Sequence, residues 1–155
     1  MFSAPSSQRE PGIVARPFRH VLVGWDGSPD SVTALKTAIA IVGNEPGRVT
    51  ALAVLPESRQ LEDGQDVLAS AGQTWEAFHL ARTASGARSP ARISLHTTHG
   101  RQVAKLICDY AAEHGFDLLV LGRHGDGGLL RPKLGRIAEA AARRSSIPVL
   151  LVSAS

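Results

Sequence analysis

The feature that most constrains this chain is a regular alternation of short apolar segments with segments of helical periodicity. Five apolar runs have the length of strands, and each of the first four precedes a stretch with apolar residues three or four positions apart. The predicted strands are 20–25, 48–55, 91–97, 117–122 and 147–153. The predicted helices are 29–42, 68–82, 103–113 and 134–145. This βαβαβαβαβ order favours a parallel sheet with right-handed crossovers and helices on both faces.

The ends of the first helix are marked by residues that favour those positions. Ser28 is expected to cap the amino end, Pro29 suits the first helical position, and Asp30 places an acid in the first turn. Gly43 is expected to end the helix. The stretch 56–66 is polar and lacks helical periodicity, so it is predicted to be a loop.

Two of the predicted strand ends carry unusual residues. Asp26 and Gly27 follow the first strand, and Gly122 ends the fourth. In open α/β sheets, ligands bind beyond the carboxyl ends of the strands, where the strand order reverses. If the strand order is 3-2-1-4-5, these two ends are neighbours at the reversal, and a ligand site is expected there.

Gly122, Gly125 and Gly135 form a G-x-x-G-x9-G pattern between the fourth strand and the last helix. Glycine has no Cβ, so its backbone N–H can approach an anion closely. The amino end of a helix also attracts negative charge. The pattern therefore predicts a phosphate cradle and, with it, a nucleotide ligand. The Gly-Lys-Ser/Thr sequence of a Walker motif is absent, although Lys133 could assist a phosphate.

Size and composition limit the class of protein. The 155 residues predict one domain, 18–155, preceded by a flexible tail, 1–17, that contains three prolines and lacks the apolar core of a signal peptide. No run approaches the roughly 18 apolar residues that span a bilayer, so no membrane association is expected. The lone Cys108 indicates a reduced thiol and a cytoplasmic location. The net charge is +3 with scattered cations, which argues against a nucleic-acid partner.

With these features the chain resembles the universal stress protein family over about residues 18–153. The resemblance rests on the opening segment VLVGWDGSPDS, the glycine pattern that begins at Gly122, and the closing segment PVLLV. It implies a Rossmann-like fold with strand order 3-2-1-4-5. It also implies homodimerisation through the last strand and, in one branch of the family, ATP binding.

When the family's site residues are carried over by position, the resemblance implies an aspartate near the ribose or adenine. It also implies a valine in the adenine pocket and glycines around the phosphates. The nucleotide contacts expected from it are Asp26, Val54, Gly122, Gly125, Gly135, Arg136 and Ile137. There is one departure, because the family's ATP-binding pattern follows its last glycine with Ser or Thr and this chain has Arg136. The arginine could bind phosphate as a bidentate cation, turn to solvent or fill the site.

Two of the side chains near the expected site have a simpler explanation. Asp26 could serve only as a turn residue before Gly27. His124 could contact phosphate or act as an acid, but a loop histidine is more often solvated. No nucleophile–base pair is apparent, and His96, His99 and Cys108 lack the spacing of a zinc site, so neither a catalytic residue nor a metal ligand is assigned.

The sequence and the resemblance together predict a dimeric ATP-binding stress or signalling module. ATP is expected with or without Mg²⁺, and the module would act on a protein partner that the sequence does not identify. Two alternatives stay open. The chain could be a dimeric interaction module that does not bind nucleotide, or it could hydrolyse ATP slowly without a dedicated base.

Overall fold

The computed structural model describes residues 18–43, 47–56, 61–88, 90, 93–124 and 135–154. Strands and helices alternate throughout these ranges. The strands are β1 (His20–Gly24), β2 (Arg48–Leu55), β3 (Ser94–His99), β4 (Leu118–Gly122) and β5 (Val149–Val152). The helices are α1 (Pro29–Val42), α2 (Leu61–Ala84), α3 (Val103–Glu113) and α4 (Arg136–Arg144).

The five strands form one parallel sheet in the order β3-β2-β1-β4-β5. The predicted strand order and fold class are therefore confirmed. β1 lies between β2 and β4, with Val23 opposite Ala51 on one side and Val120 on the other. The order reverses between β1 and β4, so their carboxyl ends lie side by side.

Apolar side chains pack on both faces of the sheet, because successive residues of a buried strand point to opposite faces. Val21 and Val23 of β1 pack with Leu35 and Ile39 of α1, and the same cluster includes Leu68 of α2. On the other face Leu22 packs with Ile107 of α3 and Ala141 of α4. The helices thus cover both faces as predicted, with α1 and α2 opposite α3 and α4.

Among the boundaries that differ from those predicted, two have a clear physical reason. Helix α2 begins at Leu61, so residues 61–66, expected in a loop, are helical. An acidic stretch of this kind is favourable in the first turns of a helix, although it lacks the apolar periodicity by which a helix is recognised. Strand β3 ends at His99 rather than at Thr97, because it pairs with β2 as far as Leu55.

The predicted tail, 1–17, lies outside the described residues. Within the described ranges, no helix combines the length and the apolar character that crossing a membrane requires. Cys108 is a free, buried cysteine whose Sγ lies 3.8 Å from the carbonyl oxygen of Ala141. This contact links α3 to α4. Burial raises the pKa of the Cys108 thiol.

Candidate functional site

The candidate site is the edge of the sheet where β1 and β4 end next to each other. β1 leads through Trp25, Asp26 and Gly27 into α1, whose N-cap is Ser28. The Oγ of Ser28 accepts a hydrogen bond of 3.2 Å from the N–H of Ser31. The predicted helix start is therefore confirmed, and the first turn of α1 lies against the end of β4.

Asp26 is exposed, and its Oδ1 accepts a hydrogen bond of 2.9 Å from the N–H of Ser28. The next residue, Gly27, has a φ of +80°, a left-handed conformation that glycine adopts without strain. Asp26 thus has the turn-forming role considered above. Its exposed carboxyl group remains at the carboxyl edge of the sheet, and the expected contact with a ribose or an adenine stays a prediction.

Gly122 ends β4 against the first turn of α1. A Cβ built on Gly122 would lie 2.6 Å from the Cβ of Asp30 and 3.1 Å from the carbonyl carbon of Asp30. Contacts this short cannot be accommodated without moving the backbone. A glycine is therefore required here for packing between β4 and α1, independently of any ligand.

Gly135, the last glycine of the pattern, is the N-cap of α4. Its N–H donates a 2.6 Å hydrogen bond to the carbonyl oxygen of Arg123, and a Cβ on Gly135 would lie 2.6 Å from that oxygen. As the N-cap of α4, Gly135 supplies no side-chain acceptor to the first turn. The amino end of α4 is thus held beside the end of β4. Gly125 and Lys133, which the sequence places in this loop, lie outside the described residues.

The other predicted contact residues lie near the same edge. Val54 is half-buried near the carboxyl end of β2, where it is opposite Thr98 of β3. Arg136 is exposed at the first position of α4. Ile137 follows it with 43% of its surface exposed. The structure therefore brings the described candidates to one edge, and their contacts with a nucleotide stay predictions.

Asp30 and His124, which are not among the predicted nucleotide contacts, contact each other at this edge. The Oδ2 of Asp30 accepts a 3.0 Å hydrogen bond from the N–H of His124 and lies 3.0 Å from the Nδ1 of the same histidine. The Oδ1 of Asp30 accepts a 2.7 Å hydrogen bond from the N–H of Ala154, which follows β5. One carboxylate thus connects the start of α1, the end of β4 and the segment after β5.

The aspartate of this cluster is almost completely buried, with 3% of its surface exposed. Burial by itself would raise the pKa of Asp30. The hydrogen bonds from Ala154 and His124 and the charge of a protonated His124 outweigh burial, so the pKa of Asp30 is lowered. The carboxylate is therefore ionised at neutral pH, and it accepts hydrogen bonds without donating any.

A sequence signal for this cluster exists, although it is indirect. Asp30 precedes Ala34 and Ala38 at intervals of four residues, and all three are buried on the same stripe of α1. An acid in register with the apolar stripe of a helix is unusual, because an unpaired buried charge is costly. That position predicts a buried partner for Asp30, but it does not identify His124.

His124 itself is mostly buried, with 14% of its side chain exposed, so the expectation of a solvated histidine is wrong. Its Nδ1 faces Asp30, whereas its Nε2 is buried and has no hydrogen-bond partner in the described part of the chain. Within the same ranges, no group of three or more His, Cys, Asp and Glu side chains could hold a metal ion.

Comparison with known proteins gives a consistent result. The model of the universal stress protein family matches residues 17–153. Universal stress protein Rv1636 of Mycobacterium tuberculosis is 27% identical over 141 residues, which cover 87% of this chain and 96% of that protein.

Solved structures share the fold. A universal stress protein in complex with cAMP has a TM-score of 0.65 at 23% identity, and the match covers 89% of this chain and 98% of that one. The universal stress protein from Archaeoglobus fulgidus in complex with dAMP has a TM-score of 0.61 at 18% identity, over 87% of this chain and 98% of that one. The sheet order, the glycine positions at its carboxyl edge and the match over residues 17–153 lead to one conclusion: the chain belongs to the universal stress protein family.

Proposed function

We propose that this protein binds an adenine nucleotide, ATP above all, where β1 and β4 end. The observation that carries the proposal is the hydrogen bond between Gly135 and Arg123, which holds the amino end of α4 beside the end of β4. The first turn of α4 receives no side-chain cap. Its N–H groups and the helix dipole therefore suit the phosphates of a nucleotide.

Two structural neighbours support an adenine nucleotide rather than another anion, because they were solved in complex with cAMP and dAMP. In the proposed complex Val54 lines the adenine pocket and Asp26 accepts a hydrogen bond from the ribose. The phosphates lie against Gly122, Gly125 and Gly135 and accept hydrogen bonds from the N–H groups in the first turn of α4, with Ile137 beside them. A bound Mg²⁺ would reduce repulsion between the phosphates and would be held mainly by them.

Arg136 decides how strongly the phosphates are bound. Its exposed guanidinium follows Gly135 at the start of α4, where it can reach a phosphate from the solvent side. We expect calorimetric titration of the full chain to give affinities that fall in the order ATP, ADP, AMP, with and without Mg²⁺. We also expect ATP binding to weaken as salt rises, because an exposed ion pair is screened.

The Arg136→Ser variant restores the hydroxyl usual in the family and is the matched comparison. If Arg136 binds phosphate, the variant still binds ATP and its affinity depends less on salt. If Arg136 blocks the site, wild type does not bind ATP and the variant does. Equal affinity and equal salt dependence in the two proteins would exclude both roles for the side chain.

The structure also contains an observation that favours the alternative of an interaction module without nucleotide. The N–H of His124 is donated to Asp30, and the space beside Gly122 is filled by Asp30. Gly122 is thus explained by packing alone, and the N–H of His124 is already occupied. If neither wild type nor Arg136→Ser binds ATP, ADP or AMP at millimolar concentration, this alternative replaces the nucleotide proposal.

We further propose that the protein acts as a dimer in the cytoplasm, joined through β5, and signals to a protein partner through its nucleotide state. β5 is an edge strand with four apolar, half-buried residues. The carbonyl oxygen of Pro148 accepts a hydrogen bond from Leu119 of β4, and that of Val152 accepts one from Arg123, the residue after β4. Since alternate residues of a strand face the same neighbour, the backbone of Leu151 faces the open edge. An unpaired apolar edge of this kind favours pairing with a second copy.

Leu151→Pro removes the outward N–H and tests the dimer. Leu151→Ala is the control, because it keeps the N–H although it loses more of the side chain than Leu151→Pro does. We expect light scattering to show a dimer for wild type and for Leu151→Ala, and a folded monomer for Leu151→Pro. Circular dichroism checks that both variants are folded. A dimeric Leu151→Pro protein would place the interface elsewhere.

A further inference from the structure

We infer that His124 binds a phosphate of the nucleotide through its Nε2, and that Asp30 holds the imidazole ring in the orientation that this contact requires. The inference deepens the proposed function and rests on it, because it names a side chain of that same site. The glycine pattern predicts contacts from the backbone alone, whereas this contact is made by a side chain.

One oxygen of Asp30 contacts both the backbone and the ring of His124, and the contact with the ring sets its orientation. The Oδ2 of Asp30 accepts a hydrogen bond from the backbone N–H of His124 and also lies 3.0 Å from its Nδ1. An ionised carboxylate only accepts hydrogen bonds, so the proton on this side of the ring belongs to Nδ1. The Nδ1 is thereby committed to Asp30, and any further contact of the ring must use Nε2.

The Nε2 atom lacks the partner that a buried polar atom requires. It is buried, and no described residue forms a hydrogen bond with it. Buried polar atoms are nearly always satisfied, because leaving one unpaired costs free energy. A bound ligand would supply the missing partner.

The surroundings of His124 favour an anion as that ligand. The Cα of His124 lies 3.5 Å from the position of a Cβ on Gly135, so the residue adjoins the amino end of α4. Arg123 precedes His124 in the chain, and Arg136 begins α4. An imidazolium between the carboxylate of Asp30 and a phosphate forms a charge-assisted hydrogen bond with each of them.

Two substitutions separate the two nitrogens of the ring. The side-chain nitrogen of Asn is bonded directly to Cγ, as Nδ1 is, so His124→Asn keeps a donor for Asp30 and removes Nε2. The side-chain nitrogen of Gln lies one atom further from Cγ, as Nε2 does, so His124→Gln keeps a donor for phosphate and loses the one for Asp30. His114→Asn is the control, because the Nδ1 of His114 also has a protein partner, the carbonyl oxygen of Tyr110 at 3.0 Å.

The measurements are the affinities for ATP and for adenosine, with the melting temperature as a check on folding. We expect His124→Asn to lose about tenfold or more in ATP affinity, the usual effect of losing a hydrogen bond to a charged group, with adenosine affinity and melting temperature unchanged. His124→Gln should melt at a lower temperature and keep the preference for ATP over adenosine. His114→Asn should match wild type in both affinities.

A purely structural role for His124 would change the affinities for ATP and adenosine together, and that result would overturn the inference. It would also be overturned if His124→Asn bound ATP as tightly as wild type, which would leave the proposed function intact.

If wild type binds no adenine nucleotide, the proposed function fails, and titration with tripolyphosphate decides the inference separately. The ¹⁵N resonance of the His124 Nε2 should then shift on addition of tripolyphosphate. An unchanged resonance would overturn the phosphate contact as well.

Discussion

The paired strands β1 and β4 are held by one aspartate at each end. The two ends differ in the polar groups that are left without a hydrogen-bond partner. At the amino end, the carboxylate of Asp117 accepts hydrogen bonds of 3.1–3.2 Å from the N–H groups of Arg19 and His20. At the carboxyl end, Asp30 accepts hydrogen bonds from the N–H groups of Ala154 and His124. In each case one aspartate holds together segments that are far apart in the chain.

At the amino end, the residues are held together by contacts with one another. The ring of His20 stacks on that of Phe116 with centroids 4.0 Å apart, and the N–H of Asp117 donates to the carbonyl oxygen of His20. The carboxyl end instead keeps a buried Nε2 without a partner among the described residues, beside a helix end without a side-chain cap. The amino end therefore contributes stability, whereas the carboxyl end also retains the polar groups that a ligand requires.

The largest expected effect comes from removing the two aspartates in turn. Asp30→Ala leaves two backbone N–H groups and the imidazole of His124 without their acceptor, and we expect it to lower the free energy of unfolding by about 3–5 kcal/mol. Asp117→Ala frees only partly buried N–H groups and should cost about 1–2 kcal/mol. Urea unfolding at pH 7 measures both, and equal losses would show that the two ends do not differ in this way.

Glycines at the two ends give the second test. Gly122→Ala places a Cβ against Asp30, and overpacking of this kind costs about 2–3 kcal/mol. Gly115, at the amino end, has a φ of +71° and open space around it, so Gly115→Ala should cost only about 1 kcal/mol from backbone strain. Thermal unfolding compares the two variants, and only Gly122→Ala should also weaken ATP binding. A larger loss in Gly115→Ala would contradict the packing role of Gly122.

The smallest expected effect is a pH dependence that belongs to the carboxyl end. The pKa of Asp30 is lowered in the folded protein, so its contribution to stability is present above the pKa of an unfolded aspartate, about 3.9. That contribution is lost as the pH falls through the lowered pKa. The difference in unfolding free energy between wild type and Asp30→Asn should therefore shrink below about pH 4. A difference that stays constant from pH 7 to pH 3 would contradict the lowered pKa.

The order and type of the elements could be predicted from the sequence, because they follow from local periodicity and from the rules of parallel sheets. The strands His20–Gly24 and Arg48–Leu55 and the cap at Ser28 are examples in which neighbouring residues decide the structure. The start of α2 and the bounds of β3 were missed. The start of α2 lacks apolar periodicity. The bounds of β3 are set by its pairing with β2 rather than by the residues of β3 itself.

For the site, the residues that follow β1 and β4 are enough to show which strand ends carry glycines and an aspartate, and therefore at which edge a ligand is expected. The pairing of Asp30 with His124, 94 residues away, and with Ala154, 124 residues away, arises from the folded arrangement. No local pattern encodes such a pairing, because it depends on how α1, β4 and β5 pack around the sheet. The same packing buries the two nitrogens of His124 in different surroundings, and that difference separates a solvated loop histidine from a candidate phosphate ligand.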